Sequence, residues 1–138
     1  MVKVATWGTF DLLHDGHKEF LRQARELGDR LAVVVVPDRV AYENKKRFPL
    51  HSQDFRAAQL QALPYVNEVY VDSLADGLIS MVNYKPEIFA FGYDQNRLLG
   101  EKLKYHLLEK GITPQYIVID TGNRTHTTNL LKNMGRIT

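Results

Sequence analysis

The sequence of 138 residues contains no cysteine. This absence excludes disulfides, thiolate metal sites and cysteine nucleophiles. A strong charge of either sign is also lacking: the net charge of +2 is too small and too dispersed to indicate a nucleic-acid partner. No apolar run approaches the length of a transmembrane helix, and the amino terminus is typical of a strand rather than a signal peptide. We therefore expect a cytoplasmic protein with neither a membrane nor a nucleic-acid partner.

The composition that is present, 44% hydrophobic and 25% charged, is typical of a globular protein. The length predicts a single domain over residues 1–138. The predicted strands are Val4–Trp7, Arg30–Val36, Val66–Val71, Glu87–Phe91 and Tyr116–Ile119. The predicted helices begin at His14 and otherwise span Gln53–Leu63, Leu74–Val82, Leu98–Lys110 and Thr127–Met134, while residues 38–49 are predicted as a loop or a frayed helix.

Strands that alternate with helices indicate an α/β protein with a parallel sheet and right-handed crossovers. We expect a Rossmann-like, doubly wound sheet of five strands in the order 3-2-1-4-5. That order makes strands 1 and 4 neighbours at the switch point, where such sheets bind ligands. It brings His14, His17 and the loop Gly92–Gln95 to one crevice.

The segment Val4–Ala24 (VATWGTFDLLHDGHKEFLRQA) contains the densest set of candidate site residues. His14 and His17 lie one turn apart at the start of a helix, where free backbone N–H groups and the helix dipole suit a phosphate. Gly8 and Gly16 remove side chains where a phosphate would approach the backbone closely. The histidines could instead be metal ligands or solvated residues, but no third and fourth zinc ligands are visible. We therefore predict no metal ligand among the protein side chains.

The turn Gly8-Thr9-Phe10-Asp11, followed by His14-x-Gly16-His17, resembles the signature of the HxGH nucleotidyltransferases, the cytidylyltransferase-like family. The resemblance implies transfer of a nucleotidyl group from a nucleoside triphosphate to a phosphate-bearing acceptor, with release of pyrophosphate. It also implies roles for the motif residues. His14 and His17 would stabilise the transition state and bind the nucleotide together with Gly16, while Gly8, Thr9 and Phe10 would shape the phosphate turn.

The same resemblance implies further phosphate contacts outside the motif. A lysine after the second strand, either Lys45 or Lys46, would close over a phosphate, and Lys46 is the expected catalytic residue of the two. Arg56 would reach the phosphates, although it could also be an exposed partner on a helix face. Near the end of the chain, Arg124 would steer a phosphate and Thr127 would cap the last helix towards the nucleotide. The Gly-Ile-Ser that cytidylyltransferases carry after their Arg-Thr is missing from this chain.

The stretch from Lys85 to Gln95 resembles the archaeal-type FAD synthetase (FMN adenylyltransferase) branch of this family. That branch transfers AMP from ATP to FMN, with Mg²⁺ on the triphosphate, and its members are usually homodimers. Asp94 would reach a ribose hydroxyl, or else belong to a simple turn into the next helix.

Two alternatives stay open: a CTP-dependent cytidylyltransferase acting on glycerol 3-phosphate or a similar ester, and a non-catalytic nucleotide-binding module. A flavin, unlike a polyol phosphate, needs an aromatic slot for its ring. The sequence offers five candidates for its walls: Trp7, Tyr42, Phe48, Tyr93 and Tyr105.

Overall fold

A computed structural model describes residues 1–93, 95 and 97–121 of the chain. In these residues one or two helices separate each strand from the next. The strands are β1 (Lys3–Gly8), β2 (Arg30–Val35), β3 (Glu68–Val71), β4 (Ile88–Gly92) and β5 (Gln115–Ile119). The helices are α1 (Asp15–Glu26), α2 (Asp38–Lys45), α3 (Gln53–Gln61), α4 (Ile79–Tyr84) and α5 (Arg97–Glu109).

The five strands form one parallel sheet in the order β3-β2-β1-β4-β5, which confirms the predicted topology. β1 lies at the centre, between β2 and β4. The buried hydroxyl of Thr6 donates to the carbonyl of Ala90 at 2.7 Å and adds a side-chain bond to the β1–β4 pair. The carboxyl end of β1 therefore lies at the switch point, where ligands of such sheets bind.

Both faces of the sheet are covered, which explains why β2 is a run of apolar residues without polar alternation. Val33 and Val35 point to the face that α1 and α3 cover. Ala32 and Val34 point to the opposite face, where α4 and α5 pack. α1 and the site at its start therefore lie on the opposite face of the sheet from α5.

Three segments differ from the sequence-based expectation or lie beyond it. Residues 38–45, expected as a loop or a frayed helix, form a regular helix, α2. The helix predicted over 74–82 begins later because residues 74–78 form turns, in which Gly77 and Leu78 have positive φ. The carboxylate of Asp72 accepts from the backbone N–H and hydroxyl of Ser80 and fixes this start. The predicted helix Thr127–Met134 lies outside the described residues.

Among the described residues, no helix is long and apolar enough to cross a membrane.

Candidate active site

The connection between β1 and α1 depends on a close packing of Gly8 against Phe10. Phe10 is buried and has a left-handed backbone with φ of 52°. A Cβ atom on Gly8 would come within 2.7 Å of the Phe10 ring, so only glycine leaves this ring in place. The ring in turn meets His17 edge to face, with 5.5 Å between centroids. Gly8 and Phe10 thus position the second histidine of the motif.

The two histidines of the motif orient each other. His14 caps α1: its Nδ1 accepts from the backbone N–H of Gly16 at 3.1 Å and of His17 at 3.4 Å. The Nδ1 of His17 accepts from the backbone N–H of His14 at 3.4 Å, which completes a reciprocal capping box. The two rings stack with centroids 3.8 Å apart and planes 20° apart.

This hydrogen-bond pattern determines which ring nitrogen carries the proton. A nitrogen that accepts a hydrogen bond has no proton, so a neutral imidazole with an accepting Nδ1 is protonated at Nε2. His14 and His17 are therefore both Nε2–H tautomers. The stacked pair can present two ring donors to an anionic group.

Gly16 contributes to the site through the space that it leaves. A Cβ atom at this position would lie 2.9 Å from Cε1 of His14 and 3.1 Å from its Nδ1. The structure also revises one expectation about the start of α1. The N–H groups of Gly16 and His17 already donate to the His14 ring, so these two backbone groups are engaged in the helix cap rather than open to a phosphate.

Arg56 is not placed to contact a phosphate, which corrects the role inferred from the resemblance. Its side chain has no exposed surface. Its guanidinium donates to the carbonyls of Thr9, Val36 and His51 at 2.8–3.0 Å and to the Asp38 carboxylate at 2.6 Å. We call these contacts the Arg56 network. They join the ends of β1 and β2 to the starts of α2 and α3.

Asp11 attaches the loop after α2 to the β1–α1 turn. Its two carboxylate oxygens accept from the backbone N–H groups of Leu50 and His51, each at 2.9 Å. Partial burial raises the pKa of Asp11, but these two hydrogen bonds, helped by the charges of His51 and Arg56, bring the pKa below its usual value. The carboxylate therefore stays ionised and keeps the loop attached to the β1–α1 turn.

On the other side of β1, Gln95 closes the turn that follows β4. Its side-chain amide donates to the carbonyl of Trp7 at 2.8 Å and accepts from the N–H of Gly92 at 2.7 Å. The sequence alone indicates neither the role of Gln95 nor the contacts of Asp11. Asp94, the expected ribose contact, lies outside the described residues.

Arg124 and Thr127 also lie outside the described residues, so their expected contacts stay predictions. Lys45 is the last residue of α2 and Lys46 follows it with a left-handed backbone; both side chains are exposed. Their assignment to a phosphate likewise stays a prediction.

The five aromatic residues considered as walls for a flavin do not come together. Trp7 is buried in the core with its ring edge against Phe91. Tyr105 lies on the exposed side of α5 and Tyr93 follows β4. Tyr42 and Phe48 do stack on each other, with 4.6 Å between centroids.

The chain belongs to the cytidylyltransferase-like family, whose family model matches residues 5–132. It is a nucleotidyltransferase of this family, and the curated relatives that it resembles carry a more specific name. It is 41% identical to the FAD synthase of Thermococcus kodakarensis over 86% of this chain and 79% of that protein. The FAD synthase of Methanosarcina barkeri is 37% identical over 86% of this chain and 84% of that protein.

A solved structure described as the lipopolysaccharide core biosynthesis protein of Thermoplasma volcanium is also similar. It is 31% identical, with a TM-score of 0.75 over 86% of this chain and 95% of that one. A protein of unknown function from Archaeoglobus fulgidus, 21% identical with a TM-score of 0.63, shares the fold.

The Arg56 network predicts a large stability loss in Arg56→Lys. A lysine keeps the charge but cannot reach all four acceptors, so buried carbonyls lose their partners. We expect the free energy of unfolding to fall by about 2–4 kcal/mol. Urea unfolding measures the change. Arg39→Lys is the matched control, because Arg39 is exposed and pairs only at the surface with Glu43 and Asp76. Equal, small losses in both variants would contradict the role of the network.

Proposed function

We propose that this protein is an FAD synthase, which transfers AMP from ATP to FMN and releases pyrophosphate. The observation that carries the proposal is the stacked His14–His17 pair beyond the carboxyl end of the central strand, in which each Nδ1 accepts from a backbone N–H. Relatives named FAD synthase, about two fifths identical over most of the chain, support ATP and FMN as the substrates.

In this reaction a phosphate oxygen of FMN attacks the α-phosphorus of ATP in line. A new P–O bond forms, and the bond from the α-phosphorus to the bridging oxygen breaks, so pyrophosphate leaves with the electron pair. Negative charge increases on the bridging and equatorial oxygens. Hydrogen bonds from His14 and His17 that strengthen as this charge grows lower the barrier, because they stabilise the transition state more than bound substrate.

Other residues keep the roles that the family resemblance implies, as part of this proposal. Lys46 or Lys45, together with Arg124, steers the phosphates. Asp94 and Thr127 contact the nucleotide. The backbone of Thr9 takes part in the phosphate turn, where the Arg56 network fixes its carbonyl.

Magnesium is the expected metal, carried by the triphosphate rather than by the protein. Among the described residues, no group of three or more His, Asp or Glu side chains could hold a metal ion. Bound to phosphate oxygens, the ion would neutralise part of their charge. A homodimer in the cytoplasm belongs to the same proposal.

The first of two predictions about activity concerns the substrates. Purified protein with Mg²⁺, ATP and FMN should release pyrophosphate and form FAD, which chromatography separates from FMN. His17→Ala should lower kcat by about a hundredfold, the usual effect of one lost transition-state donor. His106→Ala is the matched control, since His106 bonds to the Gly77 carbonyl near α5 and should leave kcat unchanged.

A parallel reaction with CTP and glycerol 3-phosphate distinguishes the alternative. Pyrophosphate release in that reaction alone would contradict FAD synthesis while leaving nucleotidyl transfer intact. ATP binding with no turnover of either acceptor would favour a non-catalytic module.

The second prediction separates stability from activity at Gly16. In Gly16→Ala the new methyl group displaces the His14 ring, so kcat should fall at least about tenfold. The free energy of unfolding should not fall by more than about 1 kcal/mol, because alanine favours a helix more than glycine does.

Gly100→Ala is the matched control for Gly16→Ala. A Cβ at Gly100 in α5 meets the Phe91 ring at an ordinary 3.5 Å, so kcat should not change. Wild-type kcat in Gly16→Ala would show that the His14 position does not matter for the reaction.

A further inference from the structure

α2 and the loop after it together carry an exposed pair of stacked aromatic rings. Tyr42 on α2 is 44% exposed and Phe48 is 65% exposed. Their rings stack with planes 26° apart. We call these two residues the aromatic pair. Exposed aromatic rings of this size are a common component of ligand sites when charged groups lie beside them.

Three exposed cations lie between the two rings in the sequence: Lys45, Lys46 and Arg47. The combination of a flat aromatic surface with positive charge is complementary to a ligand that is both aromatic and anionic. A flavin with a phosphate group has both properties. A small polyol phosphate has only the charge and would leave the aromatic pair unused.

The backbone conformation that brings the two aromatic rings together is strained. Lys46, the cap residue directly after α2, has φ of 60°, and its N–H donates to the Tyr42 carbonyl. This left-handed residue reverses the chain and returns Phe48 to Tyr42. Glycine is the usual residue at such a helix end, and a side chain there is strained. Strain of this kind is found where a segment has to keep a particular shape for binding.

The aromatic pair is also connected to the histidine site. Phe48 lies two residues before Leu50, and the backbone N–H groups of Leu50 and His51 donate to Asp11, three residues before His14. Sheet order places β2, and the α2 segment after it, on the opposite side of β1 from β4. A nucleoside triphosphate whose base extends towards β4 would leave the α2 side to the acceptor.

We propose that the aromatic pair, Tyr42 and Phe48, binds the isoalloxazine ring of the acceptor FMN, whose phosphate then lies at the histidine pair. The neighbouring cations balance the phosphate charge. The proposal rests on the proposed FAD synthase activity and makes these two residues determinants of acceptor specificity. It assigns them no role in the transfer step.

The test is a double variant, Tyr42→Ala with Phe48→Ala, compared with the wild type in steady-state FAD synthesis. The KM for FMN should rise about tenfold or more, because the stacking surface is lost. The KM for ATP and kcat should stay within about twofold, as expected when only acceptor binding changes. Tyr105→Ala is the matched control, since Tyr105 is 65% exposed on α5 and lies away from the aromatic pair.

Flavin fluorescence gives a second readout that does not depend on turnover. Stacking on aromatic rings quenches this fluorescence, so wild-type protein should quench FMN and, at higher concentration, riboflavin, which has the ring without the phosphate. The double variant should lose quenching of both. Thermal unfolding of the double variant should remain cooperative, because both side chains are exposed.

Three outcomes would overturn the proposal in distinguishable ways. If wild-type protein makes FAD and the double variant keeps its KM for FMN, the ring binds elsewhere and the proposed function stands. If the KM for ATP rises instead, the aromatic pair holds adenine. If wild-type protein neither makes FAD nor quenches flavin fluorescence, the proposed function fails together with the inference.

Discussion

The buried guanidinium of Arg56 is the constraint on which the geometry of the site depends. A charge with no exposed surface is stable only when its donors are satisfied, and here one carboxylate and three carbonyls accept from it. Those acceptors belong to the ends of β1 and β2 and to the segments that begin α2 and α3. Because one side chain joins all of them, the β1–α1 turn and the loop after α2 have a fixed separation. Asp11 adds a second connection between the same turn and that loop.

The histidine pair itself is held by a small number of local contacts. Each ring accepts a hydrogen bond from the backbone N–H of the other residue, and the rings stack, so neither can rotate without breaking the cap of α1. Gly16 leaves room for one ring, and Phe10, held by Gly8, packs against the other. The site is therefore organised before any substrate binds, and fixed donors avoid reorganisation as charge develops.

The sheet and the helix start that carries the two histidines could be predicted because their signals are local. Each signal lies within a few neighbouring residues: the apolar run of β2, which is buried on both faces, the turn that ends β1, and the histidines at a helix start. The alternation of strands with helices then determines the topology. Arg56 shows where such reasoning fails. An arginine early in a helix is normally exposed, and its burial depends on carbonyls far away in the sequence. One local feature of the sequence indicates this burial: the apolar Leu60 lies one turn after Arg56 on the same face of α3, and it is buried. Gln95 depends in the same way on the distant Trp7 carbonyl.

The central claim, that the capping box holds both imidazoles as Nε2–H donors, is tested most directly by ¹⁵N NMR of the histidine rings. Two-bond correlations at neutral pH, assigned with His14→Asn and His17→Asn variants, distinguish a protonated ring nitrogen from an accepting one. The structure predicts an unprotonated Nδ1 and a protonated Nε2 in both rings. A protonated Nδ1 in either ring would contradict the capping geometry and, with it, the arrangement of donors on which the proposed catalysis depends.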